Sequence, residues 1–237
     1  LMVEQGAAII DVGGESTRPG SDEVSAKDEL ARVLPVVSQL AAEGFAVSID
    51  TRHALVAKAC VEAGAAIIND VSGFRDEAMV DVAAKCDAGL VVTHMLGEPQ
   101  DMQVDPYYDD VVGEVSAYLL GQARMLEAAG VASGRICIDP GPGFGKTFEH
   151  NLTLLRQMRR FALLGYPLMA AFSRKAFIGE LTGIAPAHER VAGSVVVAVL
   201  AVLRGACVLR VHDVASTVEA LRVVKTVEFG AKPWREY

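Results

Sequence analysis

Basic residues, paired cysteines and membrane-length apolar runs are all in short supply here, and each shortage removes a class of protein. Against 30 Asp and Glu stand only 22 Lys and Arg, a formal net charge of −8, with a pI near 5.2. Such a chain has no general attraction for nucleic acid or for an anionic membrane surface, so an anionic ligand has to be met by a local cluster of cations. The four cysteines, Cys60, Cys86, Cys137 and Cys207, sit singly in apolar segments without a C-x-x-C pair. That argues against a metal cage or a disulfide framework and predicts buried free thiols in a reducing cytosol. The most apolar run, VAGSVVVAVLAVL at 191–203, falls short of the ~20 residues of a membrane span and reads as a helix buried in a core. LMVEQGAA lacks a basic n-region and a cleavage pattern, so no signal peptide is predicted and the expected location is the cytoplasm. Pro-rich and Ser-rich linkers are missing as well. With 51% hydrophobic and 22% charged residues, residues 1–237 read as one globular domain, disorder being expected only in the closing AKPWREY.

A phosphate loop is also missing, although DPGPGFGKT at 139–147 comes close to one. Counting back from Gly145-Lys146-Thr147, the first glycine such a loop requires falls on Pro140, which has no N–H to offer a phosphate. What the segment does present is a carboxylate, Asp139, at the end of RICID and before a glycine-rich turn.

Short β-branched runs alternate with amphipathic segments along the whole chain. AAIIDVGG (7–14), FAVSIDT (45–51), AAIINDVSG (65–73), GLVVTHM (89–95), RICIDPG (135–141), PLMAAFSRK (167–175) and CVLRVHD (207–213) read as strands. HALVAKACVEAG, DEAMVDVAAKC, VVGEVSAYLLGQARMLEAAG, NLTLLRQMRRFALLG and STVEALRVVKTVE read as helices between them. Strand followed by helix, repeated, predicts parallel strands with right-handed crossovers, and continuous apolar character predicts strands covered on both faces. Nearly every run ends in polar residues: Asp11, Asp50, Asn69 with Asp70, His94, Asp139, Ser173 to Lys175, and Arg210 with His212. In a TIM barrel these ends meet on one rim, whereas in an open sheet they are strung along an edge. A ligand that uses most of them favours the α/β class in its (β/α)8 TIM-barrel form. Seven strands are read where a barrel has eight, and the opening LMVEQGAA reads as the last turns of a helix stopped by Gly6. The first strand and most of the first helix are therefore expected to be missing from the sequence as given.

Taken in order, GGESTRPG, SIDT, IINDVSG, THM followed by GEPQDMQ, DPGPGFGKT, FSRKAFIG and RVHDV resemble the dihydropteroate synthase family, from Asp11 to the final helix. The resemblance implies a transferase on a TIM barrel, usually dimeric and a target of sulfonamides. It joins 6-hydroxymethyl-7,8-dihydropterin pyrophosphate to 4-aminobenzoate in folate biosynthesis. A pterin shows a ring N–H and an amino group pointing the same way, which a carboxylate accepts in bidentate fashion. On this reading Asp139 takes that edge, Asn69 reads the mixed pattern beside it, and Asp50 accepts from a further ring nitrogen. By resemblance Lys175 donates to the pterin and, with Phe144, walls the aminobenzoate ring. Arg210 and His212, one residue apart on one strand face, meet the pyrophosphate, and with Lys175 they are the expected catalytic residues. Thr17 and Arg18 are expected near both pyrophosphate and aminobenzoate, and Ser173 and Arg174 at the aminobenzoate carboxylate. Mg²⁺ is the implied cofactor, its protein ligand an Asn on a first loop of the kind NVTPDSFSDGG that this sequence does not contain.

Competing readings accompany this one. The strand-end aspartates can be helix caps, Arg210 can pair with Asp213, and His53, His150 and His188 are expected to be solvated. A silent pterin-binding paralogue, or a methyltransferase moving a methyl group from methyltetrahydrofolate to a corrinoid, would share the barrel. The second has no use for FSRKAFIG or RVHDV.

Overall fold

The computed structural model describes residues 1–17 and 20–230; Arg18 and the closing segment 231–237 lie outside the described residues. Ile10–Gly13 (β1), Val47–Asp50 (β2), Ile67–Asp70 (β3), Gly89–Thr93 (β4), Ile136–Asp139 (β5), Met169–Ala170 (β6) and Val208–Leu209 (β7) realise the seven strands read from the sequence. All ladders are parallel. β1 to β5 lie in chain order in one sheet, β6 pairs with β7, and a bridge between Ile138 and Leu168 joins the two. A spatial order that never reverses is the winding of a (β/α) barrel, since a doubly wound sheet reverses at its switch point. Among the described residues no ladder closes β7 onto β1. Arg210 spans that seam instead, its Nε donating to Asp11 Oδ2 at 2.5 Å across 199 residues of chain.

Helices Ala26–Ala42 (α1), Ala54–Glu62 (α2), Glu77–Ala84 (α3), Val111–Ala128 (α4), Phe148–Arg156 (α5), Met158–Ala162 (α6), Ala176–Thr182 (α7), Val191–Leu203 (α8) and Val214–Phe229 (α9) cover the outside. Four of them, α1, α3, α4 and α5, are capped by side chains at their own N-termini. Ser25, Asp76, Asp110 and Thr147 accept from the backbone N–H of Asp28, Ala78, Val112 and His150. The capping aspartates are thus Asp76 and Asp110, and the strand-end Asp11, Asp50 and Asp139 are left for other work.

Side-chain alternation supplies the rest of the design. Ile49, Ile68, Leu90, Val92, Ile136 and Ile138 point outward into the main core beneath the helices. Their neighbours Asp50, Asn69, Thr93 and Asp139 point to the opposite face, toward the barrel axis at its C-terminal rim.

Several expectations are corrected. α8 is not buried all round: Ser194, Val197, Ala198 and Ala201 face inward, while Val196 is 56% and Leu203 45% exposed. As a helix of the outer ring it has only one face to bury. The predicted single helix over NLTLLRQMRRFALLG breaks at Gln157 into α5 and α6. Only Cys60 is a fully buried thiol; Cys86 and Cys137 are half-buried and Cys207 is exposed. Among the described residues no helix is long and apolar enough to cross a membrane.

Candidate active site

Asp139, 1% exposed, ends β5, and its Oδ1 accepts from the backbone N–H of Gly141 at 2.8 Å. The turn that follows can be made only by glycine at this point. Gly141 has φ +63°, and a Cβ there would lie 1.9 Å from the His94 carbonyl oxygen, so both the conformation and the space exclude a side chain. The chain then turns Lys146 inward, where it is 3% exposed. Its Nζ donates to Phe144 O at 3.0 Å and stands 2.9 Å from His94 Nδ1. His94 therefore serves as a neutral acceptor, with burial and the nearby Lys146 ammonium pushing its pKa down to about 2. Burial also drives the Lys146 ammonium well below its usual value, against the pull of Asp139. Sequence reasoning gave Lys146 no role; the available signal was a lone lysine inside a glycine turn between apolar segments.

Phe144 is 5% exposed. It packs with Val71, Met95 and Met102 in a small cluster separate from the main core, so it is buried at the rim. Lys175, directly before α7, holds its Nζ 4.4 Å from the Phe144 ring centroid, a cation–π contact.

Across the rim, Arg210 donates to Asp11 Oδ2 and Asp50 Oδ2, and Asn69 Nδ2 donates to Asp11 Oδ2 at 3.3 Å. Three buried polar atoms here lack any partner: Asp11 Oδ1, Asn69 Oδ1 and Thr93 Oγ1. Buried polar atoms are normally bonded, so their gathering on inner strand ends marks a surface shaped for a polar ligand. Burial raises Asp50 to about 7, with Arg210 opposing and Asp11 adding to the rise. Burial likewise raises Asp139 to about 6, opposed by the Gly141 N–H and the Lys175 and Lys146 ammoniums.

The alternative pairing of Arg210 with Asp213 does not occur, because Asp213 takes Arg174, whose Nε donates to Asp213 Oδ2 at 3.0 Å. Arg174, expected at the aminobenzoate carboxylate, has its guanidinium paired with Asp213 in this structure. Ser173 Oγ accepts from the His212 backbone N–H at 3.2 Å and lies 3.1 Å from His212 Nδ1, fixing the ring. Burial and then the Arg174 and Arg210 charges lower the His212 pKa.

The loop after β1 carries Thr17, half-buried, and is fastened by a pair the sequence did not reveal. Glu15 accepts from Arg52 Nε at 3.0 Å and from Val24 N at 3.0 Å. His53, expected in solvent, has its Nδ1 2.6 Å from Oε2 of the fully buried Glu29. Glu15, Glu29 and His53 are the one group of such side chains among the described residues close enough to share a metal. Arg52 already neutralises Glu15, and Thr51 and His53 both engage Glu29 through Oε2, leaving its buried Oε1 as the one unpartnered oxygen of the group. This set therefore does not fit a Mg²⁺ ion, which prefers one or two free carboxylates together with substrate phosphates.

The inner rim thus gathers Asp50, Asn69 and Asp139 with the unpaired atoms of Asp11, Asn69 and Thr93 on parallel strands. The sequence model of the pterin binding enzymes matches residues 1–212, and the chain belongs to that family. Within it the similarity runs to dihydropteroate synthases. That of Neisseria meningitidis serogroup C is 48% identical over 224 residues, covering 93% of this chain and 79% of the relative. Among solved structures, dihydropteroate synthase from Burkholderia cenocepacia complexed with 7,8-dihydropteroate superposes with a TM-score of 0.92 at 47% identity, covering 98% of this chain and 85% of that one. The Xanthomonas albilineans enzyme with 4-aminobenzoic acid gives 0.92 at 46%, covering 96% and 81%.

Proposed function

We infer that this chain is a dihydropteroate synthase, condensing 6-hydroxymethyl-7,8-dihydropterin pyrophosphate with 4-aminobenzoate to give 7,8-dihydropteroate and pyrophosphate. The observation that carries this reading is the set of unpaired polar atoms, Asp11 Oδ1 and Asn69 Oδ1, on the same inner rim as the buried carboxylate of Asp139. That set suits a ring with both donors and acceptors on its edge. Asp139 accepts the paired N–H groups of the pterin, Asn69 reads the adjacent positions and Asp50 a further ring nitrogen. Lys175, standing over Phe144, donates to the pterin and, with that ring, walls the aminobenzoate. Ser173 and Thr17 complete the second site.

Arg210 and His212 receive the pyrophosphate. On this reading Arg210 leaves Asp11 and Asp50 as the phosphates arrive, which frees Asp50 for the pterin in the same movement. The methylene C–O bond breaks with its electron pair going to pyrophosphate, largely before attack. The amine lone pair of aminobenzoate then forms the C–N bond, and the amine proton leaves to pyrophosphate or water. The cations over the leaving group stabilise charge that develops in the transition state, and no protein nucleophile is needed. Mg²⁺ carried on the pyrophosphate would supply further positive charge to the leaving group.

Pyrophosphate release measured with and without 4-aminobenzoate and Mg²⁺ tests the reading: release should require the aminobenzoate. Release without it, or none in a protein that binds the pterin, would sink it. We also propose a cytoplasmic homodimer. Val196 and Leu203 of α8 and Val223 and Val227 of α9 expose apolar side chains on two helices that pack together, a face suited to a second copy. A monomeric peak in sedimentation at micromolar concentration would overturn the dimer.

A further inference from the structure

We propose that Thr93 is a further specificity-determining residue, its hydroxyl accepting a hydrogen bond from the exocyclic amino group of the bound pterin. The proposal rests on the pterin reading above and extends it to a position outside the motif contacts.

Thr93 is the last residue of β4 and is 1% exposed. Leu90 and Val92 on the same strand belong to the core beneath the helices, so Thr93, one residue on from Val92, faces the barrel axis. It is in register with Asp139 on β5, while on the other side Asn69 of β3 is in register with Val91, one inward position lower. The hydroxyl thus lies between the carboxylate and the carboxamide assigned to the pterin.

Packing does not explain a threonine here. Its methyl group is the part that meets the glycine turn, Cγ2 lying 3.2 Å from where a Cβ on Gly141 would stand. Valine would keep that contact, and it would remove a buried hydroxyl that has no partner, which is a standing cost to the fold. Of the three other orphaned atoms among the described residues, Glu29 Oε1 lies on α1, while Asp11 Oδ1 on β1 and Asn69 Oδ1 on β3 share the inner face with Thr93. Such a cost is expected where the missing partner is a ligand.

Chemistry then selects the ligand atom. A carboxylate that takes the ring N–H and one amino N–H in bidentate fashion leaves the second amino N–H pointing away from that ring N–H. From Asp139 on β5 that direction runs toward β3, and β4 lies between them. The acceptor met first is Thr93 Oγ1.

Calorimetric binding of 6-hydroxymethylpterin and of its 2-desamino analogue to the full chain tests this, in wild type, Thr93→Val, Thr93→Ser and Asp139→Asn. Thr93→Val should weaken the amino-bearing pterin about five- to tenfold, the worth of one neutral hydrogen bond, and leave the desamino analogue within about twofold. Its ligand-free Tm should be unchanged or higher, because the orphaned hydroxyl is gone. Thr93→Ser should bind as wild type does. Equal binding of both pterins by wild type and Thr93→Val overturns the proposal, as does an equal loss for both, which would signal altered pocket shape. Failure of wild type to bind either pterin, with Asp139→Asn indistinguishable from it, overturns the pterin reading beneath.

Discussion

Around Asp139 the rim is held by backbone and by a buried lysine. Around Asp11 and Asp50 it is held by one arginine whose side chain is 40% exposed. On the first side Gly141, Gly143 and Gly145 all take positive φ, and Lys146 ties the turn to His94 and Phe144. Nothing there moves without breaking buried hydrogen bonds. On the second side the ion pairs of Arg210 can be exchanged for phosphate oxygens at little net cost, because like partners replace like. The contrast fits the division of labour: a heterocycle is recognised by fixed geometry, and a leaving group must be released.

The rigid side is broken most severely at Gly141. An alanine there must adopt φ +63° with its Cβ 1.9 Å from the His94 carbonyl, so the turn has to rebuild. The left-handed conformation alone costs about 1–2 kcal/mol, and the backbone clash should bring the loss to roughly 3 kcal/mol, within the range of overpacked sites. Thermal unfolding should show Tm lower by roughly 6–12 °C in a protein of this size, together with loss of pterin binding. A Gly141→Ala protein within about 2 °C of wild type, still binding pterin, would mean that this side is as yielding as the other.

How much of this contrast the sequence disclosed differs between the sides. Strand-end Asp50, Asn69, Asp139, Arg210 and His212 were legible, because parallel strands buried on both faces leave polar residues at their C-terminal ends and little else explains them there. The glycine turn was legible as a turn, since Pro140 rules out a phosphate cradle. Partner choice was not legible. Arg174 and Arg210 carry identical guanidinium groups, and Asp213 is closer in sequence to Arg210, yet it pairs with Arg174 while Arg210 crosses the seam to Asp11. That choice is made by the curvature of the barrel, which no local pattern encodes. Lys146 with His94, and Glu29 with His53, are joined by side chains far apart in sequence, so no local pattern pairs them. In α8 the apolar run fixed the helix, but it could not say which of its faces stays open.

The exchangeable side is sharpened by Arg210→Met, with a smaller expected effect whose size depends on pH. The substitution leaves Asp11 and Asp50 facing one another on adjacent strands without their cation. Breaking a fully buried pair costs about 3–5 kcal/mol, but Arg210 is 40% exposed, and solvent screening reduces the expected loss to about 1–2 kcal/mol at pH 8. Asp50, raised to about 7 with Arg210 opposing the rise, will titrate higher still in the variant. A carboxyl whose folded pKa lies above its unfolded value holds more protons in the folded state, so it gains stability as pH falls toward the unfolded value. The variant gains more than wild type between pH 8 and 6, because its Asp50 takes up the proton earlier, and below about pH 6 both proteins hold it. Urea unfolding at pH 8 and 5.5 should therefore show the gap shrinking to less than half. A gap that is constant or widens on acidification would mean that Arg210 acts through packing and not through its charge, and the two sides of the rim would then differ less than their geometry indicates.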